Sequence, residues 1–173
     1  VLETMKQHIR QPIMSEGAMG IYVKYQLGRR YAAGTDTAHG VGGDYSVTVV
    51  MDLGSGAVVA DVMSNELEVD EFAEQSIKML HLYRDPIWGI EDNDWGITVI
   101  KAAEAARYTH LYGESTLKER KNGWHTDNKS RMVMWGELRT QVNSGKVVVY
   151  NADGLRQFAT VMLNLKARGR PEA

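Results

Sequence analysis

The residues best placed for chemistry are acids at the ends of apolar segments. Asp36 closes YAAGTD and Glu91 closes IWGIE, while Asp44 opens DYSVTVVMD after a Gly-Gly pair. Each of these segments reads as a strand. A carboxylate at the tip of a buried strand is costly unless something pairs with it. A divalent ion is a common solution, because Mg²⁺ and Mn²⁺ prefer carboxylate oxygens. If the strands ending in Asp36 and Glu91 are neighbours, their carboxylates face each other across roughly 5 Å. Two bare carboxylates at that separation repel, and a bound cation removes the conflict. Paired acids holding two metals about 4 Å apart can activate a water and stabilise the leaving oxygen of a phosphodiester. The plainer reading is that an acid after a strand simply starts a turn. It is the joint occurrence of Asp36 and Glu91 that points to a site.

The elements that must position these acids follow from pattern. Residues 1–30 form a lead-in, with a short helix before Pro12 and an edge strand over Ile21–Gln26. Tyr31–Asp36 is a strand, followed by a glycine-rich loop containing His39 and by a strand over Tyr45–Asp52. LGSG is a hairpin turn that returns the chain antiparallel over Ala57–Met63. Phe72, Ile77, Leu80 and Tyr83 have helical spacing, which predicts a helix over Asp70–Tyr83 capped by Asp70. Further helices are predicted over Trp95–Tyr108, Asn128–Asn143 and Asp153–Leu165, the last with Asp153 as its cap. Short strands are predicted over Ile87–Glu91, His110–Tyr112 and Lys146–Tyr150. A meander followed by helix–strand alternation predicts an α/β fold with a mixed sheet covered by helices.

Composition narrows the chemistry. The chain has 173 residues, 43% of them hydrophobic and 24% charged, which suits one soluble domain. It contains no Cys, which excludes disulfides, thiolate metal sites and cysteine nucleophiles. No apolar run approaches the ~18 residues of a membrane span. The net charge of −2 does not advertise a nucleic-acid binder, but acids gathered at a metal site bias that figure. The first residue is Val rather than Met, consistent with a fragment boundary.

The blocks YAAGTDTAHGVGGDYSVTVVMD, GIEDNDWG and GWHTDNKSRMVMWGELRTQVNSGKVVVYN together resemble the nuclease domain of tailed-bacteriophage terminase large subunits, from about Tyr31 onward. The resemblance implies an RNase H-like nuclease domain over 31–173, with a three-strand antiparallel meander plus parallel strands flanked by helices. It implies cleavage of double-stranded DNA with Mg²⁺ or Mn²⁺ in a two-metal site. The first catalytic Asp of the family matches Asp36 and the second acid matches Glu91, with Asn93 and Gly96 completing that motif; Asp44 matches an additional metal ligand. Thr126, Lys129 and Arg131 match a T-x-x-K-x-R segment, and Lys129 and Arg131 are candidate DNA-backbone contacts. A third catalytic Asp lies in the family just past a stretch like GRPEA, where this chain stops, so the site is expected to be incomplete. The family also implies an ATPase motor domain in the same polypeptide, a portal protein and a small terminase subunit as partners, and packaging in the host-cell cytoplasm. The chain itself has no G-x-x-x-x-G-K-[ST] phosphate loop. Other RNase H-like nucleases, such as junction resolvases or transposase-like enzymes, share the acidic arrangement. An actin-like nucleotide-binding domain and a non-catalytic docking module are the alternatives from other classes. His39 and His125 read as loop histidines, the four Trp as packing residues, and Met132 and Met134 as core fillers.

Overall fold

Alternation along Tyr31–Ser64 builds the centre of the molecule. In β3 (Tyr31–Asp36), Tyr31, Ala33 and Thr35 are buried on one face, while Ala32, Gly34 and Asp36 take the other. The strand β4 (Ser46–Asp52) alternates in the same way, and β5 (Ala57–Ser64) is buried from Ala57 to Val62 on both faces. The computed structural model describes residues 2–38, 42–115 and 120–158. β3 pairs antiparallel with β4 from Tyr31↔Asp52 to Asp36↔Val47, and β4 pairs antiparallel with β5 across the LGSG turn, with a bulge at Val50/Met51. At that turn Gly56 has φ +70°, and a Cβ there would run into the Lys146 carbonyl, so only glycine fits.

The helix α2 (Val69–Leu82) carries the chain across to β6 (Ile87–Ile90), which joins β3 in parallel from Ala32↔Ile87 to Thr35↔Ile90. On the far side of β5 lie β2 (Met19–Ile21) and, outside it, β1 (Met14–Glu16). β9 (Val148–Val149) pairs in parallel with Ala57–Val58. The sheet order is β1-β2-β5-β4-β3-β6, the mixed sheet with helical cover that the element pattern predicts. α2 and α3 (Gly96–Ala105) cover one face. The core there is built on Val50, Val62, Phe72, Met79, Leu80, Trp88, Ile90 and Val99, each at most 1% exposed. Burying side chains of this size contributes about 1.5–3 kcal/mol each. A second, smaller core joins Met5 of α1 (Leu2–Lys6), Val142 and Leu155. It holds the C-terminal end of α4 (Asn128–Asn143) and the helix α5 (152–158).

Several expectations shift. The strand expected over Ile21–Gln26 is the inner strand β2, Met19–Ile21, and β1 is the edge. The chain turns away after Ile21, where Tyr22 and Val23 both donate backbone bonds to the Val59 carbonyl. Asp70 does not cap α2: Glu68 holds the N-cap position and Asp70 lies in the first turn. Asp153 does not cap α5 either. The Asn151 side-chain oxygen does, accepting from Asp153 N at 2.9 Å and Gly154 N at 3.2 Å. The strand expected over His110–Tyr112 reduces to one bridge between Leu111 and Trp88, followed by the hairpin β7 (Gly113–Ser115) and β8 (Arg120–Asn122). His39, the end of the predicted Asp153–Leu165 helix and the GRPEA stretch lie outside the described residues.

Candidate functional site

Glu91 follows the last rung of the β3–β6 ladder, and its N–H donates to the Thr35 carbonyl at 3.1 Å. Asp36 and Glu91 therefore leave adjacent strands side by side and on the same face. That face is the floor of a groove of about 850 Å³, walled on the other side by α4 and α5. Asp36 is an exposed residue, yet neighbouring protein displaces water from round its carboxyl. Its carboxyl is pushed up to about 6 by that loss of water first, then by the charge of Glu91 and a hydrogen bond shared with it. The Arg131 guanidinium and the Thr37 N–H pull in the opposite direction.

Two carboxyls close enough to share a proton form a hard oxygen donor pair, and a divalent cation relieves their conflict. Asp36 and Glu91 thus fit such an ion. Among the described residues no group of three or more acidic or histidine side chains converges. Asp44 is exposed in the turn ahead of β4 and lines no part of the groove, so the structure does not bring it to the pair.

Asn93 clamps the two acid-bearing segments together. Its Oδ1 accepts from the Thr37 hydroxyl at 3.1 Å and from Gly96 N at 2.8 Å, and its Nδ2 donates to the Thr37 carbonyl at 3.3 Å. A Cβ at Gly96 would collide with the Glu91 carbonyl. This gives the E-x-N-x-x-G pattern a physical cause: one amide ties the residue after Asp36 to the first turn of α3, and the missing side chain lets that turn close on Glu91.

The segment 123–126 runs beside β6. Trp124 N donates to the Ile90 carbonyl at 2.7 Å, and Asp92 N donates to the Trp124 carbonyl at 2.9 Å. This places Trp124 and Thr126 in the groove wall near Glu91. The Trp124 Nε1–H is buried there with no partner among the described residues. His125 is more than a loop histidine: its Nδ1 lies 2.9 Å from Asp92 Oδ1, and Lys121 Nζ donates to Asp92 Oδ2 at 2.6 Å. Burial works against ionisation of Asp92, but these two partners outweigh it and hold its carboxyl below the usual range.

A capping box fixes the first turn of α4. Asp127 Oδ1 accepts from Ser130 N at 2.6 Å, and Ser130 Oγ accepts from Asp127 N at 2.9 Å. Lys129 is exposed and Arg131 is half-buried. Met132 and Met134 are not core residues: they are 71% and 48% exposed, because α4 buries only Val142. Of the tryptophans, Trp88 is fully buried, Trp95 is 36% exposed, and Trp124 and Trp135 line the groove.

Sequence reasoning missed two features. One is Asp61, which is 5% exposed and sits on the groove floor. Asn151 Nδ2 donates to it at 2.9 Å, and burial pushes its carboxyl up to about 6 against that bond. An acid in the middle of AVVADVM was the available signal. The other is a buried hydroxyl chain beneath Asp36. Trp88 Nε1 donates to Thr35 Oγ1 at 2.8 Å, Thr35 and Thr48 hydroxyls lie 2.7 Å apart, and Thr48 and Ser76 hydroxyls 2.8 Å apart.

A mixed sheet of this order, with acids at the ends of adjacent parallel strands, is the RNase H-like architecture. No family model matches the chain, and no curated protein does. Solved structures do. The large terminase nuclease of the thermophilic phage G20c with bound magnesium aligns with a TM-score of 0.66 at 17% identity, over 88% of this chain and 75% of that one. The large terminase nuclease domain of a Thermus phage aligns with a TM-score of 0.59 at 20% identity, over 88% and 73%. A human cytomegalovirus terminase nuclease domain, soaked in manganese and bound to an inhibitor, gives 0.59 at 10% identity, over 95% and 85%. The chain has the fold of the large terminase nuclease domains.

Proposed function

We propose that this chain is the metal-dependent endonuclease domain of a terminase large subunit, cutting double-stranded viral DNA concatemers during genome packaging. The observation that carries this reading is the Asp36–Glu91 pair, crowded together at the ends of adjacent parallel strands on the groove floor. The fold shared with nucleases solved with magnesium, cobalt, zinc and manganese supports it. Asp36 and Glu91 would hold Mg²⁺ or Mn²⁺. When bound, such ions supply Lewis acidity toward the phosphodiester and its attacking water. The protein's own part is orientation. Asn93 and the β3–β6 ladder fix the separation of the two carboxylates, and the apolar wall of Trp124, Met134 and Trp135 limits water on the groove side. Lys129, exposed at the start of α4, contacts the DNA backbone without reading sequence. The same reading gives the chain an ATPase motor domain within its polypeptide, portal protein and small terminase subunit as partners, and the host-cell cytoplasm as its place of action. Among the described residues no helix is long and apolar enough to cross a membrane.

Asp36→Asn and Glu91→Gln test the assignment in two ways. Calorimetric titration with Mn²⁺ should show binding to the wild type and its loss in both variants. The full-length protein should nick supercoiled plasmid in Mn²⁺, and either substitution should abolish this. Variants that bind Mn²⁺ and nick plasmid as the wild type does would show that the site lies elsewhere.

A further inference from the structure

The hydroxyl chain beneath Asp36 joins Trp88 of β6, Thr35 of β3, Thr48 of β4 and Ser76 of α2. Thr35 is 7% exposed and the other residues are at 0%. Trp88 Nε1 has only a proton to give, so Thr35 Oγ1 accepts it, at 2.8 Å. The chain continues through Thr48 Oγ1, 2.7 Å from Thr35 Oγ1, to Ser76 Oγ, 2.8 Å further on. Valine and alanine would fill almost the same space without burying a hydroxyl, and replacing all the partners of such a contact by apolar groups can be nearly neutral for stability. What the hydroxyls add is direction. Apolar contacts tolerate sliding, whereas a hydrogen bond holds its atoms to a narrow range of distance and angle.

Thr35 is where the chain meets the acids. Its register partner in β4 is Thr48, so the bond between their hydroxyls braces β3 straight across to β4. The register partner of Trp88 is Ala33, so the indole reaches diagonally along β3 to grip Thr35. A diagonal tie of this kind opposes the sliding of β6 along β3. The pair Thr35↔Ile90 is the last rung before the acids. Thr35 also acts through its main chain: it precedes Asp36, and its carbonyl accepts from Glu91 N at 3.1 Å. One residue therefore joins the buried brace on its side-chain end to both acid-bearing strand ends on its backbone.

We propose that Thr48 is a positioning residue for the acid pair: acting through Thr35, and anchored on α2 by Ser76, it keeps the strand ends that bear Asp36 and Glu91 at a fixed offset and so sets how tightly they hold a divalent cation. This rests on the metal-site reading above. Two carboxylates on separate strands grip one ion best when neither strand can shift against the other. Outer-shell partners that orient metal ligands are generally worth about ten- to a hundredfold in metal affinity. Thr48 stands beyond that shell, behind Thr35, so its effect falls at the low end.

The test uses Thr48→Val, Thr48→Ser, Ser76→Ala and Leu80→Ala in the full-length protein. Mn²⁺ affinity is measured by calorimetry without DNA. The electron paramagnetic resonance spectrum of bound Mn²⁺ reads how uniform its site is, and urea unfolding ranks stability. Thr48→Val should bind Mn²⁺ roughly tenfold more weakly and broaden the spectrum. Thr48→Ser keeps the hydroxyl and should stay within about twofold of the wild type. Ser76→Ala removes only the anchor at the end of the chain and should lose roughly threefold. Leu80 is 0% exposed in the same core but has no part in the hydroxyl chain. Leu80→Ala should therefore unfold at lower urea than Thr48→Val and still bind Mn²⁺ like the wild type. Wild-type Mn²⁺ affinity in Thr48→Val, or a loss of affinity that simply follows the urea midpoint across the variants, overturns the inference. If Thr48→Val does not fold, Ser76→Ala decides, and wild-type Mn²⁺ affinity in it overturns the inference in the same way. Asp36→Asn run beside these separates the two levels. If Asp36→Asn binds Mn²⁺ like the wild type, the metal site itself is wrong; if it loses Mn²⁺ and Thr48→Val keeps it, only the role of Thr48 fails.

Discussion

Replacing Asp61 by asparagine should stabilise the protein at neutral pH and not in acid. Asp61 is 5% exposed and faces an apolar groove floor, with Asn151 Nδ2 donating to it at 2.9 Å. Burial raises its carboxyl from 3.8 to about 6. The unfolded chain therefore releases this proton near pH 4, while the folded protein keeps it to about pH 6. Between those values the folded state binds more protons, so stability falls as pH rises, and it levels off above about 6. Each pH unit of that interval is worth about 1.4 kcal/mol, so the ionised acid costs the fold about 3 kcal/mol at pH 7, an upper bound. The substituted amide carries no proton to lose and can still accept from Asn151. Asp36 titrates in the same interval but is present in both proteins, so it cancels in their difference. Urea unfolding followed by tryptophan fluorescence, at pH 4.5, 5.5, 6.5 and 7.5, reads the effect. With a slope of about 2 kcal/mol/M, the Asp61→Asn midpoint should lead the wild type by about 1.5 M at pH 7.5 and by only about 0.5 M at pH 4.5. A lead that is the same at all four pH values would refute the reasoning, because a packing change has no reason to follow this titration.

Two further substitutions test the scaffold of the site. Thr35→Val keeps the shape of the side chain but takes the acceptor from Trp88 Nε1, on a residue that is 0% exposed, and removes a partner of Thr48. It should cost about 2–3 kcal/mol in urea unfolding, against about 1 kcal/mol for Ser76→Ala at the far end of the chain; equal costs would mean the hydroxyls act separately. Asp127→Ala removes the acceptor for Ser130 N, so amide exchange at Ser130 should quicken while Val142, held in the second core, keeps its protection. Equal acceleration at both residues would show that α4 opens as one body.

Much of the frame was legible because period alone decides it. The β3 range, the LGSG hairpin and the full extent of α4 need only alternation, turn chemistry and helical propensity. The adjacency of Asp36 and Glu91 stood only as a condition, because α2 follows β5 and nothing local says that β6 joins the sheet beside β3, two strands away; there the ladder ends one rung before each acid. Which way a side chain faces was less accessible. Lys129 and Arg131 looked alike, because nothing local tells which face of α4 the groove takes. That is set at the opposite end of the helix, where Val142 meets Met5 and Leu155 from distant parts of the chain. Met132 and Met134 were misread for the same reason.

Asp61 shows a related limit. Its strand is apolar apart from this one acid, and the acid's partner Asn151 comes from a distant segment that β9 brings alongside by pairing with Ala57–Val58. The E-x-N-x-x-G motif stands between these cases. Its spacing was visible as a pattern, but its cause is a three-way contact among Thr37, Asn93 and Gly96 that no single segment contains. Asn93 acts on the site without belonging to the acidic pair: by holding Thr37 it holds Asp36, and by starting α3 it holds Glu91. The two carboxyls stay crowded because this amide and the β3–β6 ladder deny them the freedom to separate. A carboxylate pair that cannot relax apart is relieved by gaining a positive charge, and that pre-set conflict makes a divalent cation the natural partner of the site.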